Sequence, residues 1–310
     1  MRWRGAWLLG VALSLAACGE RPRAAGADAS PRSQSGAQYR MAVEQRRAAR
    51  VALLRAAAGW LSYTGSGRLR SGVHQVGSAA GNGVQLPTGP AHLGSLHVGT
   101  DGEVSFEVAE GAAVSVHGQP FVAGRLGTDA AHATQTRLTL GEQEFYVVRT
   151  GNLFGWRFRD PHAAARDSFR GIDYFPIDPR WRVVADWRPA PAPRAIVLLT
   201  SVGTPQPLAL AGSAEFAFGG RRYRLQALRE DDGARLFFPF TDRTSGRESY
   251  GGARYLFVAP PQGERIVLDF NLAQNPPCAF TAHVVCPLAP LGNRLELAVT
   301  AGEKNYLGPR

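Results

Sequence analysis

The sequence predicts a mainly β protein, with an N-terminal helix followed by two antiparallel β units. The first unit is expected to be a sandwich, the second barrel-like or another sandwich. Three observations predict this. Short runs alternate apolar and polar residues with period two, separated by roughly 8–12 residues. The 36 glycines punctuate those runs, and glycine supplies the backbone freedom that tight turns need. Only one long stretch carries the helical apolar period. With 310 residues, 45% hydrophobic and 19% charged, the chain can bury a real core. That composition excludes a disordered chain, a collagen and a long coiled coil.

Residues 1–17 open with Arg2 and Arg4 and continue into an apolar run over 6–17. The run is too short for a membrane span, which takes about 20 residues. It reads as a signal peptide. Leu15-Ala16-Ala17-Cys18 resembles the lipobox of bacterial lipoproteins. The resemblance implies cleavage before Cys18, acylation of Cys18 and attachment to a membrane. Gly19 stands where that class places Asp for inner-membrane retention. This implies the outer membrane, with the body facing the periplasm. Residues 18–36 are rich in Pro, Gly, Ser and Ala without apolar period, as expected of a disordered tether.

A helix is expected over residues 38–60. Met41, Val43, Ala48, Val51, Leu53 and Leu54 form its apolar stripe, with Glu44, Arg46, Arg47 and Arg50 on the solvent side. Together with the first β unit it fills residues 37–165. Strands are expected at 93–98, 103–108, 113–117, 136–140, 144–148 and 155–158, with Thr100-Asp101-Gly102 as a hairpin turn. The stretch from Val76-Gly77 through Asn82-Gly83-Val84-Gln85-Leu86-Pro87 to His117-Gly118 resembles a forkhead-associated domain. That resemblance implies a β-sandwich. Ser78 stands where that family's phosphothreonine-reading Arg would be, so phosphopeptide binding is not carried over.

A connector with a short helix is expected at 160–169, and the C-terminal β domain at 170–310. Its strand candidates are 182–187, 195–200, 207–210, 214–218, 221–228, 234–238, 253–258, 265–270 and 294–300. Pro189, Pro191 and Pro193 form an extended spacer. Residues 253–271 read as a hairpin around Pro260-Pro261-Gln262-Gly263, which would set Arg254 opposite Asp269.

The final seventy residues hold the polar motifs. Asp242-Arg-Thr244-Ser245-Gly246 leads to Glu248 and Tyr250-Gly251-Gly252-Ala-Arg254. Asp269-Phe270-Asn271, Asn275-Pro-Pro-Cys278-Ala and Cys286-Pro follow, then Asn293-Arg-Leu295 and Ala301-Gly302-Glu303-Lys304. The series resembles the bacterial family known as domain of unknown function 1684, over about residues 40–305. Ser249 stands where that family usually has Thr. The family implies no activity, so any mechanism must come from the residues.

One reading gathers Asp242, Thr244, Ser245, Tyr250 and Arg254 with Asp269, Asn271, Asn275, Asn293 and Glu303 around one hollow. Such a site would bind a small polar or anionic ligand, with Arg254 and the N–H groups of Gly246, Gly251 and Gly252 taking the anion. A second makes Asp242, Glu248 and Asp269 the acid and base of a hydrolase or lyase. A third is purely structural: turns and ion pairs. Ser245 lies in neither a nucleophile elbow nor a Ser-x-x-Lys motif.

Outside the cytoplasm Cys278 and Cys286 are expected to form a disulfide. The alternatives are a metal site completed by His283 or two separate thiols. No metal or cofactor is expected. The net charge of +10 rests on 34 arginines and one lysine, Lys304. The charges are spread without interleaved aromatics, which disfavours nucleic acid and allows weak attraction to anionic surfaces.

Overall fold

The period-two runs of the first half form two sheets around one core. The computed structural model describes residues 35–128, 135–229 and 234–309. The expected signal peptide, Cys18 and the tether up to residue 34 lie outside the described residues. Helix α1 spans Gly36–Arg55. Among the described residues the strands that follow are β1 (Tyr63–Leu69), β2 (Gly72–Gly77), β3 (Val84–Gln85), β4 (Gly94–Val98), β5 (Val104–Val108), β6 (Ser115–Val116), β7 (Gln119–Pro120), β8 (Ala123–Arg125), β9 (Arg137–Leu140), β10 (Gln143–Thr150) and β11 (Leu153–Arg159).

One sheet runs β1-β11-β10-β9-β6-β7 and the other β3-β2-β4-β5-β8. Pairing is antiparallel except between β2 and β3. Val76, Leu96 and Phe106 of one sheet share an apolar core with Leu138, Phe145 and Trp156 of the other. Burying each side chain of this kind stabilises the sandwich by about 1.5–3 kcal/mol. The expected turn joins β4 to β5: Gly102 has φ +87°, and the Asp101 carboxylate accepts the Glu103 N–H at 2.9 Å. Ser78 and Asn82 close their own loop, donating to the carbonyls of Gly89 and Ala91.

After the short helix α2 (Ala164–Ser168) come β12 (Arg182–Pro189), β13 (Ala195–Leu199), β14 (Pro205–Phe218), β15 (Arg221–Arg229), β16 (Leu236–Phe240), β17 (Arg254–Val258) and β18 (Arg265–Asp269). The sheet order is β17-β16-β15-β14-β12-β18, with β13 added to β14. The sheet curls into a half-barrel. Its core holds Phe216, Phe238, Phe240, Leu268 and Phe270. A second cluster gathers Leu198, Leu210, Leu228, Phe237 and Tyr255 around Cys286.

Three expectations are corrected. Residues 207–210 and 214–218 belong to one long strand, β14, which bends at an irregularity between Leu210 and Gly212. The 253–271 hairpin does not form. β17 pairs with β16, setting Arg254 against Phe240, while β18 pairs with β12, setting Asp269 against Arg182. Pro260 and Pro261 cannot donate ladder N–H groups, and both strands find partners on either side of the curled sheet. Residues 294–300 are not a strand. They meet the 241–243 segment through the bonds Leu295 N–H to Thr241 and Arg243 N–H to Leu297.

Candidate functional site

Polar side chains from β17 and two loops first build a buried layer. Arg254 opens β17 and is fully buried. Its guanidinium pairs with Asp242 and donates to the carbonyls of Val299, at 2.8 Å, and Ala301. The ring of Phe240 lies 5.1 Å from the guanidinium carbon. Burial holds the Arg254 pKa below the usual arginine value, against the pull of Asp242. The same carboxylate accepts the Thr244 N–H at 2.6 Å. Ser245 Oγ accepts the Asp242 N–H at 3.0 Å, and Thr244 and Ser249 share a hydroxyl bond of 2.7 Å. These five residues are committed to internal bonds.

Asn293, at the end of a 3-10 turn over Leu291–Asn293, has a similar role against the sheet. Its amide accepts from the Gln226 N–H at 2.7 Å and donates to the carbonyls of Gln226 and Pro239.

Other motif residues meet helix α1. The positive φ of Gly302, +80°, turns the chain where a Cβ would sit 2.4 Å from the Ala273 carbonyl oxygen. Next to it Glu303, 1% exposed, receives the Asn275 N–H at 2.6 Å and Arg50 Nε at 3.1 Å. Arg50 also donates to the Asn275 carbonyl, and Asn275 Nδ2 to the carbonyl of Lys304. Burial raises the Glu303 pKa above the ordinary value of 4.5, and Arg50 opposes that rise. Tyr39 donates to Asp269 at 2.9 Å and accepts from Asn271, whose side chain also bonds both backbone groups of Asp178.

The buried side of α1 therefore differs from the expected stripe. Tyr39, Val43 and Leu54 are buried, whereas Met41 and Leu53 are 54% and 65% exposed. Arg47 and Arg50, expected on the solvent side, turn toward the body. Arg47 donates to the Phe175 carbonyl and stacks 4.2 Å from the Tyr174 ring centre. The body offers carbonyls and the Glu303 carboxylate there, so arginine heads fit where methylenes would not.

Between α1 and the C-terminal sheet lies a cleft of about 320 Å³. Arg46, Arg47 and Arg50 of α1 line it with Tyr174, Arg235 and Glu303, and Asn271 forms part of its floor. Arg235 stacks over Phe257 at 4.7 Å. Among the described residues four arginines thus line the cleft with one carboxylate, which is itself buried and paired with Arg50. Of the residues expected around a hollow, the structure brings Asn271 and Glu303 to this cleft, with Asp269 and Asn275 just behind. Asp242 and Arg254 lie in the buried layer, and Asn293 in a 3-10 turn packed on the sheet. Glu248 is exposed, and Tyr250 sits 3.5 Å from Cys278 Sγ. The sequence reading missed Arg46, Arg47, Arg50, Tyr174 and Arg235. The signal available was Glu303, a carboxylate in a motif rich in buried neighbours, where burial calls for a cation.

The expected disulfide is corrected. Cys278 and Cys286 are free thiols. Cys286 Sγ accepts the Cys278 N–H at 3.1 Å. Its bond to the other thiol and burial in the Leu198–Tyr255 cluster push its pKa up, which favours the neutral thiol. His283 turns away from both and bonds Ser66.

Fold and motifs together define a β protein in which a basic helix covers a polar-lined cleft. The chain belongs to the family described as Protein of unknown function (DUF1684), matched over residues 167–304. Among solved structures it is similar to the uncharacterized protein from gene locus rrnAC0354 of Haloarcula marismortui, determined by solution NMR. Identity is 39% over 46% of this chain and 80% of that one, with a TM-score of 0.39. No curated protein shows significant similarity to the chain.

Two outcomes follow from the buried charges. Asp242→Ala leaves the Arg254 guanidinium uncompensated and should destabilise the fold by about 3–5 kcal/mol, measured by urea unfolding. Glu303 has a raised pKa in the folded state, so its contribution to stability is lost as pH rises above 4.5. Glu303→Gln, which does not ionise, should flatten that part of the stability–pH curve.

Proposed function

We propose that this protein is a lipid-anchored envelope protein that binds a small anionic ligand in the cleft beside α1. The observation that carries the reading is the lining of that cleft among the described residues: Arg46, Arg47 and Arg50 stand on one wall with Arg235 nearby, and Glu303 is the one carboxylate. Planar guanidinium forks match carboxylate and phosphate oxygens. Arg46 makes no hydrogen bond or ion pair among the described residues, which leaves its donors for a ligand. Tyr174, whose buried hydroxyl has no hydrogen-bond partner among the described residues, supplies a neutral polar group at the same wall.

The hydrolase alternative needs two carboxylates at one reacting centre. Asp242 is held by Arg254 and Asp269 by Tyr39, while Glu248 projects from an exposed loop. Binding is therefore favoured over catalysis. Cys18 carries the anchor in this reading, residues 18–36 the tether, and the protein faces the periplasm from the outer membrane.

The ligand reading is tested by thermal unfolding with inorganic phosphate and glucose 1-phosphate. At about 100 times Kd, ligand should raise Tm by roughly 5 °C. Sodium chloride at equal ionic strength should not, and Arg46→Gln with Arg235→Gln should abolish the shift. An unchanged Tm with both phosphates would count against the reading. For the anchor, Cys18→Ser should move the protein from the membrane to the soluble fraction and abolish palmitate labelling. Retention of both properties would sink that part.

A further inference from the structure

A further cleft, of about 290 Å³, is lined by none of the residues that line the cleft beside α1. It lies where β1, β10 and β11 of the sandwich meet the loops at 202–204 and 282–285. Val148, Phe154, Val202 and Val284 give it an apolar wall. Its polar end holds Ser66, Arg68, Arg157 and His283. Ser66 Oγ and His283 Nδ1 bond across the junction at 3.0 Å. Among the described residues no aspartate or glutamate lines it.

Arg157 is the unusual member. It is half-buried, and its one hydrogen bond among the described residues goes to the carbonyl of the adjacent Trp156, at 2.9 Å. Among the described residues no carboxylate pairs with it. A partly desolvated guanidinium without a counter-charge is unfavourable, and an anion entering the cleft would offset that cost. His283 cannot supply one. Burial and the nearby Arg157 lower its pKa, so the imidazole is neutral at pH 7.

The half-buried Arg157 at the end of an apolar wall, with the exposed Arg68 beside it, suits an anionic head on an apolar body. We propose that this cleft binds an amphiphilic monoanion, an alkyl carboxylate. Its head forms a bidentate pair with Arg157, and its chain lies along Val148, Phe154, Val202 and Val284. The site shares no lining residue with the arginine cleft beside α1 and stands whether or not that cleft binds a ligand.

The test is calorimetric titration of the full chain at neutral pH with decanoate, below the concentration at which it forms micelles. Decanoate should bind, and 1-decanol at least tenfold more weakly. Arg157→Gln should erase that difference. Because loss of Arg157 could disturb β11, a second variant adds a repelling charge at the mouth. Val202 is 62% exposed, so Val202→Glu should leave Tm unchanged and weaken decanoate at least tenfold. Arg46→Gln with Arg235→Gln should bind decanoate as wild type does. The proposal is overturned if wild type does not bind decanoate, if decanol binds equally, or if Val202→Glu binds like wild type. Loss of decanoate in the Arg46/Arg235 variant would also overturn it, by placing the ligand in the other cleft.

Discussion

The C-terminal unit is organised by the need to satisfy one buried guanidinium. Arg254 is fully buried, and a buried charge is costly unless paired and hydrogen-bonded; its two terminal nitrogens find partners, while Nε has none among the described residues. Its partners come from two distant segments: the carboxylate of Asp242, and the carbonyls of Val299 and Ala301. Drawing those carbonyls inward fixes a stretch with no regular secondary structure. The Gly302 turn follows directly and delivers Glu303 to Asn275 and Arg50. Helix α1 is thus positioned through a chain of polar contacts that starts at Arg254.

The preference for arginine has a physical basis in these contacts. A guanidinium is planar and weakly hydrated, so it can stack on a ring while its edge makes hydrogen bonds. Arg47 does both, over Tyr174 and toward Phe175; Arg50 does so over Phe280 while bonding Glu303. Arg55 repeats the pattern over Phe169, donating to that residue's carbonyl. An ammonium on a flexible stem would be more costly to desolvate at each position. A net charge that looks diffuse along the chain is thereby partly drawn onto the inner face of α1.

What the sequence made legible follows the reach of local rules. Alternation and glycine spacing announced β4, β5, β9, β10 and β11, because a half-buried strand writes its two faces into neighbouring residues. The same rule misread residues 294–300, where alternation serves a loop packed on Thr241 and Arg243. It also misread 253–271, since which strand a segment pairs with depends on sheet curvature rather than on the intervening loop. In the candidate site, the polar motifs pointed to residue types that matter. They did not separate Arg254 and Asn293, enclosed by their own backbone contacts, from Glu303, which reaches the cleft. Arg47 and Arg50, unlike Arg46, turn inward against expectation, because average exposure says nothing about acceptors 128 and 253 residues away.

Asn293 shows how strict such a contact becomes. One carboxamide completes the edges of β15 and β16, offering an acceptor to Gln226 N–H and two donors to the carbonyls of Gln226 and Pro239. Aspartate has the right length but no donor at neutral pH. Glutamine has the right groups but an extra methylene, and serine falls short of both strands. The position works as a keyhole cut for a single key, so a library of all substitutions there should return asparagine almost alone, whatever the protein binds.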